Sequence, residues 1–195
     1  MDPINLLVGL NLFISMTANF SGAKKGLKSK VTGVVERPRT FLQKAPPNVA
    51  AVVLILLILA VFKIFTLPVE YEEQYFTLRV IGMLLYIIFS WTQVLSFKQL
   101  GENYSQEIVI MKNQKLVKTG FYKFIRHPQY LSQILSDLAA SVALLGYVVL
   151  PVVILFEIPL FILRASYEDK LLRKHFKEEF DQYKNHSGFM IPFIG

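Results

Sequence analysis

The stretch "NVAAVVLILLILAVFKIFTLP", residues 48–68, is apolar almost throughout, with Lys63 its one charge. As a helix it is about 31 Å long, the thickness of a bilayer's hydrocarbon core. A second run of the same kind, "YFTLRVIGMLLYIIFSWTQVLSF" (75–97), carries only Arg79 near its start. With 53% hydrophobic residues and a mean hydropathy of +0.44, the 195 residues read as an integral membrane protein rather than a soluble domain.

Two further apolar regions complete the membrane part. "INLLVGLNLFISMTANF" (4–20) is preceded by Asp2 and by no basic residue, so it reads as a retained span and not as a signal peptide. Residues 131–163 are long for one span and short for two full crossings; they predict a tight helical hairpin turning near Gly146–Tyr147. Lys and Arg set the orientation. Seven lie in residues 22–47, six in 98–130 and six in 164–184, while the "EYEEQ" turn (70–74) has none. Cytoplasmic loops collect these cations, so the reading is an all-α multi-pass protein of about five transmembrane helices with its polar loops facing the cytosol. It divides into N-terminal membrane helices (1–97; spans 4–20, 48–68 and 75–97) and a second region, 98–195. That region holds a loop (98–130), the hairpin (131–164) and a tail (165–195) with an amphipathic C-terminal helix. Leu172, Phe176, Phe180 and Tyr183 form the tail's apolar stripe, which predicts a helix lying in the membrane interface. The charge of +7 is thereby explained by topology, without nucleic acid.

Ionisable groups at membrane depth are costly and mark candidate sites. Glu157, Arg164 and Glu168 are spaced i, i+7, i+11, one helical face unless Pro159 kinks it; Arg164 and Glu168 also read as a structural ion pair. Gln133, Asp137 and Ser141 form a polar stripe, and helix–helix hydrogen bonding is the plain reading of it. In "GFYKFIRHPQYLSQ" (120–133), Arg126 and Tyr130 suit an interfacial anchor, and His127–Pro128 suits a helix start. The loop 101–122 holds a short β-like run (Glu107–Met111) and a turn at Lys112–Asn113, but no phosphate-binding glycine motif. There is no cysteine, and the three histidines show no metal-ligand spacing, so neither thiolate chemistry nor a metal site is expected.

The order of these motifs carries more than any of them singly. "NYSQ", "LVKTGFYKFIRHPQY", a hydrophobic hairpin, "RASYE" and "FKEEFDQYKNHSGFMIPFI", over residues 103–194, resemble the isoprenylcysteine carboxyl methyltransferases. The resemblance implies S-adenosylmethionine held by Gln114, Lys115, Leu116, Val117, Tyr122, His127, Pro128, Gln129, Tyr130 and Glu168. It implies Arg164 as the substrate-binding residue, with Arg164 and Glu168 as the catalytic pair. Ser132 stands where many relatives have glycine.

The implied substrate is the C-terminal carboxylate of a prenylated cysteine, reached from the membrane lipid, with no metal and no nucleic acid as partners. An α-carboxyl ionises near pH 3.5, so it is already a nucleophile at neutral pH. Positioning and desolvation then suffice. Competing readings are a phospholipid amine N-methyltransferase, a sterol-reductase-like NADPH enzyme and a small non-enzymatic transporter or scaffold.

Overall fold

The computed structural model describes residues 2–28, 33–192 and 194–195, with side chains in the first helix only as far as residue 19. Lys24, Lys25, Lys28 and Lys30 of the basic segment 22–47 therefore lie outside the described side chains. Helices α1 (Pro3–Lys28), α2 (Ala45–Val61), α3 (Glu70–Gln74) and α4 (Phe76–Leu100) come first. Then follow α5 (Pro128–Ala143), α6 (Val149–Val152), a π-helical turn (Val153–Glu157), α7 (Ile158–Phe176) and α8 (Glu178–His186).

Three helical segments among the described residues, 41–61, 76–103 and 149–176, are long and apolar enough to cross a membrane. The exterior is oilier than much of the interior. Leu10, Phe13, Ile55, Ile81, Leu84, Ile88, Leu155 and Phe156 are exposed, whereas Asn5, Asn11, Arg79, Ser90, Gln93, Ser96 and Asp137 are buried. In lipid the apolar exterior meets its own kind, and the helices hold together by close packing and internal polar bonds. Asn11 Nδ2 donates to Ser90 Oγ at 3.0 Å, and Trp91 Nε1 donates to Asn11 Oδ1 at 3.1 Å.

The α4–α5 pair is the tightest. A Cβ added at Gly82 would sit 2.9 Å from Ala139 O and Ala143 N, so glycine permits the contact. At that end Arg79 is buried, donating to Ala143 O at 3.1 Å and to Asp2 Oδ1 at 2.7 Å. Burial opposes ionisation of Asp2, but the hydrogen bond and charge of Arg79 hold its carboxyl below the usual range.

The predicted hairpin is present: α5 ends at Ala143, and the chain turns through Leu144–Val148 with Gly146 N donating to Ser141 O at 2.8 Å. Two boundaries move. The 48–68 run is helical only to Val61, because Lys63 and Phe65 adopt positive φ and the chain turns there; Lys63 pairs with Glu72 at 2.8 Å. The amphipathic tail is two helices, broken at Lys177 (φ 49°). Phe180 and Tyr183 are buried, and Tyr183 Oη donates to Tyr122 O at 2.6 Å. These two side chains of the stripe pack toward the polar loop, while Leu172 and Phe176 are half-buried.

The fold also contains a small antiparallel pair, β1 (Val34–Glu36) with β2 (Ile110–Met111), which the all-α reading lacked on its first strand. It clasps the segment before α2 to the loop after α4. Gln43 completes the clasp: its Nε2 donates to Ile108 O at 2.8 Å, and its Oε1 accepts from Ile108 N at 2.9 Å.

Candidate active site

A cleft opens between the loop 100–117, the start of α5, the C-terminal half of α7 and α8. Local hydrogen bonds shape its loop wall. Gln114 folds back on its own turn, its Oε1 accepting from Met111 N at 3.0 Å, and Asn103 Oδ1 accepts from Lys115 N at 2.7 Å. Gly120 (φ 61°) lets the chain pass under Gln99, whose Oε1 accepts from Phe121 N at 2.9 Å.

The junction that follows is built as its residue types require. His127 caps α5 and Pro128 opens it, where proline's missing N–H costs nothing. The chain's last segment runs alongside: Gly188 O accepts from Arg126 N at 2.9 Å and Phe189 O from His127 N at 3.2 Å. Arg126 is buried, so it is not the interfacial anchor that its place beside a span predicts. Its Nε donates to Asp169 Oδ2 at 3.0 Å, and its Nη1 to Ser187 O at 2.5 Å. Asp169 Oδ1 also meets His127 Nε2 at 2.8 Å. Tyr130 is buried as well, stacked on His127 with ring planes 5° apart.

The deep end of the cleft is a charge-assisted cluster. Tyr130 Oη donates to Glu168 Oε1 at 2.6 Å and accepts from Arg164 Nε at 2.8 Å. Arg164 Nε also reaches Glu168 Oε1 at 3.0 Å, one helical turn on. Arg164 Nη2 donates to Gln106 O at 2.6 Å and Nη1 to Leu42 O at 3.5 Å. Each terminal nitrogen retains a second N–H. The pairing of Arg164 with Glu168 is thus real, and α5 and the loop use it too.

Most of the expected residues meet here. Gln114, Lys115, Leu116, Val117, Tyr122, His127, Gln129, Tyr130 and Glu168 line the cleft; Pro128 does not, and Arg164 lies behind Tyr130 and Glu168. Three further lining residues, Asn103, Tyr104 and Asp169, had no role in the sequence reading. Burial pushes the phenol of Tyr104 up to about 12 and that of Tyr122 well above its usual value, so both enter the cleft as neutral hydroxyls. Ser132, the departure from glycine, is buried in α5.

The cleft is electrostatically mixed. Glu168 is partly open and its Oε2 lies 3.9 Å from His127 Nδ1. Tyr104, Tyr122 and Tyr130 line the cleft with it. A carboxylate among aromatic side chains suits a compact organic cation. Among the described residues no group of three or more His, Asp or Glu is placed to hold a metal ion.

The chain is similar to known proteins in sequence and in fold. The model of the isoprenylcysteine carboxyl methyltransferase family matches residues 80–174. The chain is similar to a protein-S-isoprenylcysteine O-methyltransferase of Saccharomyces cerevisiae, 33% identical over 117 residues, covering 59% of this chain and 49% of that one. It is also similar to a probable protein-S-isoprenylcysteine O-methyltransferase of Oryza sativa subsp. indica, 28% identical over 126 residues, covering 63% and 65%. The matched part thus spans about half to two thirds of these curated relatives. The solved structure of the eukaryotic intramembrane Ras methyltransferase, isoprenylcysteine carboxyl methyltransferase, superposes on the whole chain and 69% of its own, with a TM-score of 0.67 at 18% identity. Residues 80–174 thus match the isoprenylcysteine carboxyl methyltransferase family model, and the whole chain shares the fold of that solved methyltransferase.

Proposed function

We propose that the chain is an S-adenosylmethionine-dependent methyltransferase that esterifies the C-terminal carboxylate of an isoprenylated cysteine, working at the cytosolic face of a membrane. The observation that carries this is the Tyr130–Arg164–Glu168 cluster, which sits where a polar cleft meets the membrane helices. It brings a cation, for an anionic substrate, within one helical turn of a carboxylate, for a cationic donor.

The residues present suit the donor. The turn at 111–117 would offer backbone groups, Tyr122, His127, Gln129 and Tyr130 a largely aromatic wall, and Glu168 a counter-charge. Bound S-adenosylmethionine supplies an electrophilic methyl on a sulfonium. This chain's own work is then positional. A prenylcysteine carboxylate is ionised at neutral pH and needs no general base. The free N–H groups of Arg164 would orient it. Burial of that end of the cleft would remove water from the nucleophile, and its lipid would stay among the helices. The charge asymmetry of the loops supports a cytosolic cleft. Residues 1–97 would serve as the membrane frame and 98–195 as the catalytic region.

The test is direct. Purified full-length protein should bind S-adenosylmethionine in calorimetry, and absence of binding would exclude the methyltransferase class. A transfer assay offering farnesylcysteine and phosphatidylethanolamine side by side should label the first. Label on the amine lipid would replace the substrate assignment.

A further inference from the structure

Seven residues deeper than Tyr130 on α5, and seven before Arg164 on the facing helix, stand Asp137 and Glu157. At 1.5 Å per residue both lie about 10 Å below the cluster just described. We propose that these two carboxyl groups form an intramembrane proton-binding site, holding one proton between them and tying α5 to the α6–α7 arm. The proposal stands whether or not the cleft above it transfers methyl groups.

The hydrogen-bond partners point to it. Glu157 is fully buried and Asp137 nearly so. Gln133 Nε2 donates to Asp137 Oδ2 at 2.5 Å, and Gln133 Oε1 accepts in turn from Gln93 Nε2 across on α4. Neither oxygen of Glu157 receives a hydrogen bond from any described residue; the group facing it is the Asp137 carboxyl. Two carboxylates are acceptors only, so as a pair of anions they have nothing to give each other. Buried in lipid without a cation, two negative charges would cost far more than the fold could offset.

Among the described residues no side-chain cation on the packed elements is free to relieve them. Tyr86, Ser90 and Gln93 on α4 and Asn11 and Ser15 on α1 are polar but uncharged, and α2 presents Val53, Leu57 and Ala60. Tyr86 is a further titratable group nearby, its hydroxyl facing Ser15 and Asn11. Arg79 is engaged with Asp2, Asn5 and Ala143 O, and Arg164 with the upper cluster. A hard metal ion requires about six oxygen ligands, and the pair belongs to no group of three or more acidic or histidine ligands. One proton is sufficient. Because Gln133 already donates to Asp137, Asp137 is the acceptor and Glu157 the acid: Glu157 O–H donates to the free oxygen of Asp137.

The backbone is arranged for this contact. Pro159 has no N–H to return to the preceding turn, and the helix carries its π turn at Val153–Glu157 just before it. The extra residue falls ahead of Glu157, so Glu157, Arg164 and Glu168 keep their common face toward α5.

Infrared spectroscopy of full-length protein in lipid nanodiscs tests the assignment. At neutral pH the wild type should show the carbonyl band of a protonated carboxylic acid, shifted in heavy water and lost in Glu157→Gln. Glu157→Gln should melt within a few degrees of wild type, since its amide can donate to Asp137. A spectrum without that band, or a band that survives Glu157→Gln, would overturn the proposal. So would melting raised by sodium or calcium in wild type but not in Glu157→Gln, which would make the pair a metal site. If Glu157→Gln does not fold, Asp137→Asn takes its place: the Glu157 acid loses its anionic acceptor and its band must shift, whereas an unshifted band overturns the proposal.

Discussion

Asp169 meets the imidazole of His127 at 2.8 Å and, through its other oxygen, the guanidinium of Arg126 at 3.0 Å. Consecutive residues of the junction are thus held by one carboxylate from α7. His127 lines the cleft while Arg126 fastens the chain's last segment, so the wall and its backing share a single support.

Replacing that carboxylate isolates a charge. In Asp169→Asn the Arg126 guanidinium stays buried without its counter-ion, a change that costs about 3 to 5 kcal/mol when one partner of a buried pair is removed. Denaturant unfolding in detergent should show a loss of this size. A loss below about 1 kcal/mol would place Arg126 in contact with water and make the pair an ordinary surface bridge.

Tyr130→Phe removes one hydroxyl that both accepts from Arg164 and donates to Glu168, while the ring keeps its contacts with His127 and Phe161. Arg164 and Glu168 still have each other at 3.0 Å, so the stability cost should be only about 1 to 2 kcal/mol. On the proposed function methyl transfer needs both side chains in place, and it should fall roughly tenfold to a hundredfold. Paired melting and transfer assays check the split; equal losses of fold and rate would remove the positioning role.

Much of this was legible in the sequence, because membrane segments are written in long apolar runs and helix starts in local residue types. The hairpin turn at Gly146 and the His127–Pro128 start of α5 follow from such signals. What escaped depends on contacts between distant residues. Nothing local distinguishes Asp169 from any acid following Glu168, and nothing reveals that Arg126 faces inward to meet it 43 positions on. The break at Lys177 was hidden for another reason: a lysine takes the positive φ there, where α8 turns to pack on the loop, and no glycine or proline announces it.

Gln43 lies outside the family-matching segment yet pins Ile108, two residues from the carbonyl that receives Arg164. On the proposed function, Gln43→Ala should weaken S-adenosylmethionine binding severalfold through a loosened loop, with about 1 to 2 kcal/mol of lost stability. Gln43→Glu should be at least as harmful, because it sets a carboxylate against Ile108 O. Calorimetry on both variants decides the matter; unchanged affinity would show that the loop holds its shape without the clasp.

The closeness of α4 and α5 rests on the missing side chain of Gly82. In Gly82→Ala the methyl meets backbone atoms of Ala139 and Ala143, which cannot rotate away. Overpacking of this kind costs about 1 to 3 kcal/mol. Gly33, with nothing within 4 Å of the added carbon, provides the neutral control. Thermal melts of the two alanine variants should separate clearly, and coincident melts would mean that the helices part easily.

Alkali should unfold the protein through its buried phenols. Burial raises Tyr104 and Tyr183 to about 12 and Tyr122 well above its ordinary value, whereas an unfolded phenol ionises near 10. Below about pH 10 both states keep these protons and the contribution to stability is complete. Above it the unfolded chain releases them while the folded one cannot, so stability falls as pH rises from about 10 toward 12. Melting temperature followed across that window should decline, and Tyr104→Phe should flatten the decline by removing one such proton. A Tyr104→Phe profile parallel to wild type would show that this phenol ionises in the folded protein, and that its end of the cleft is wet.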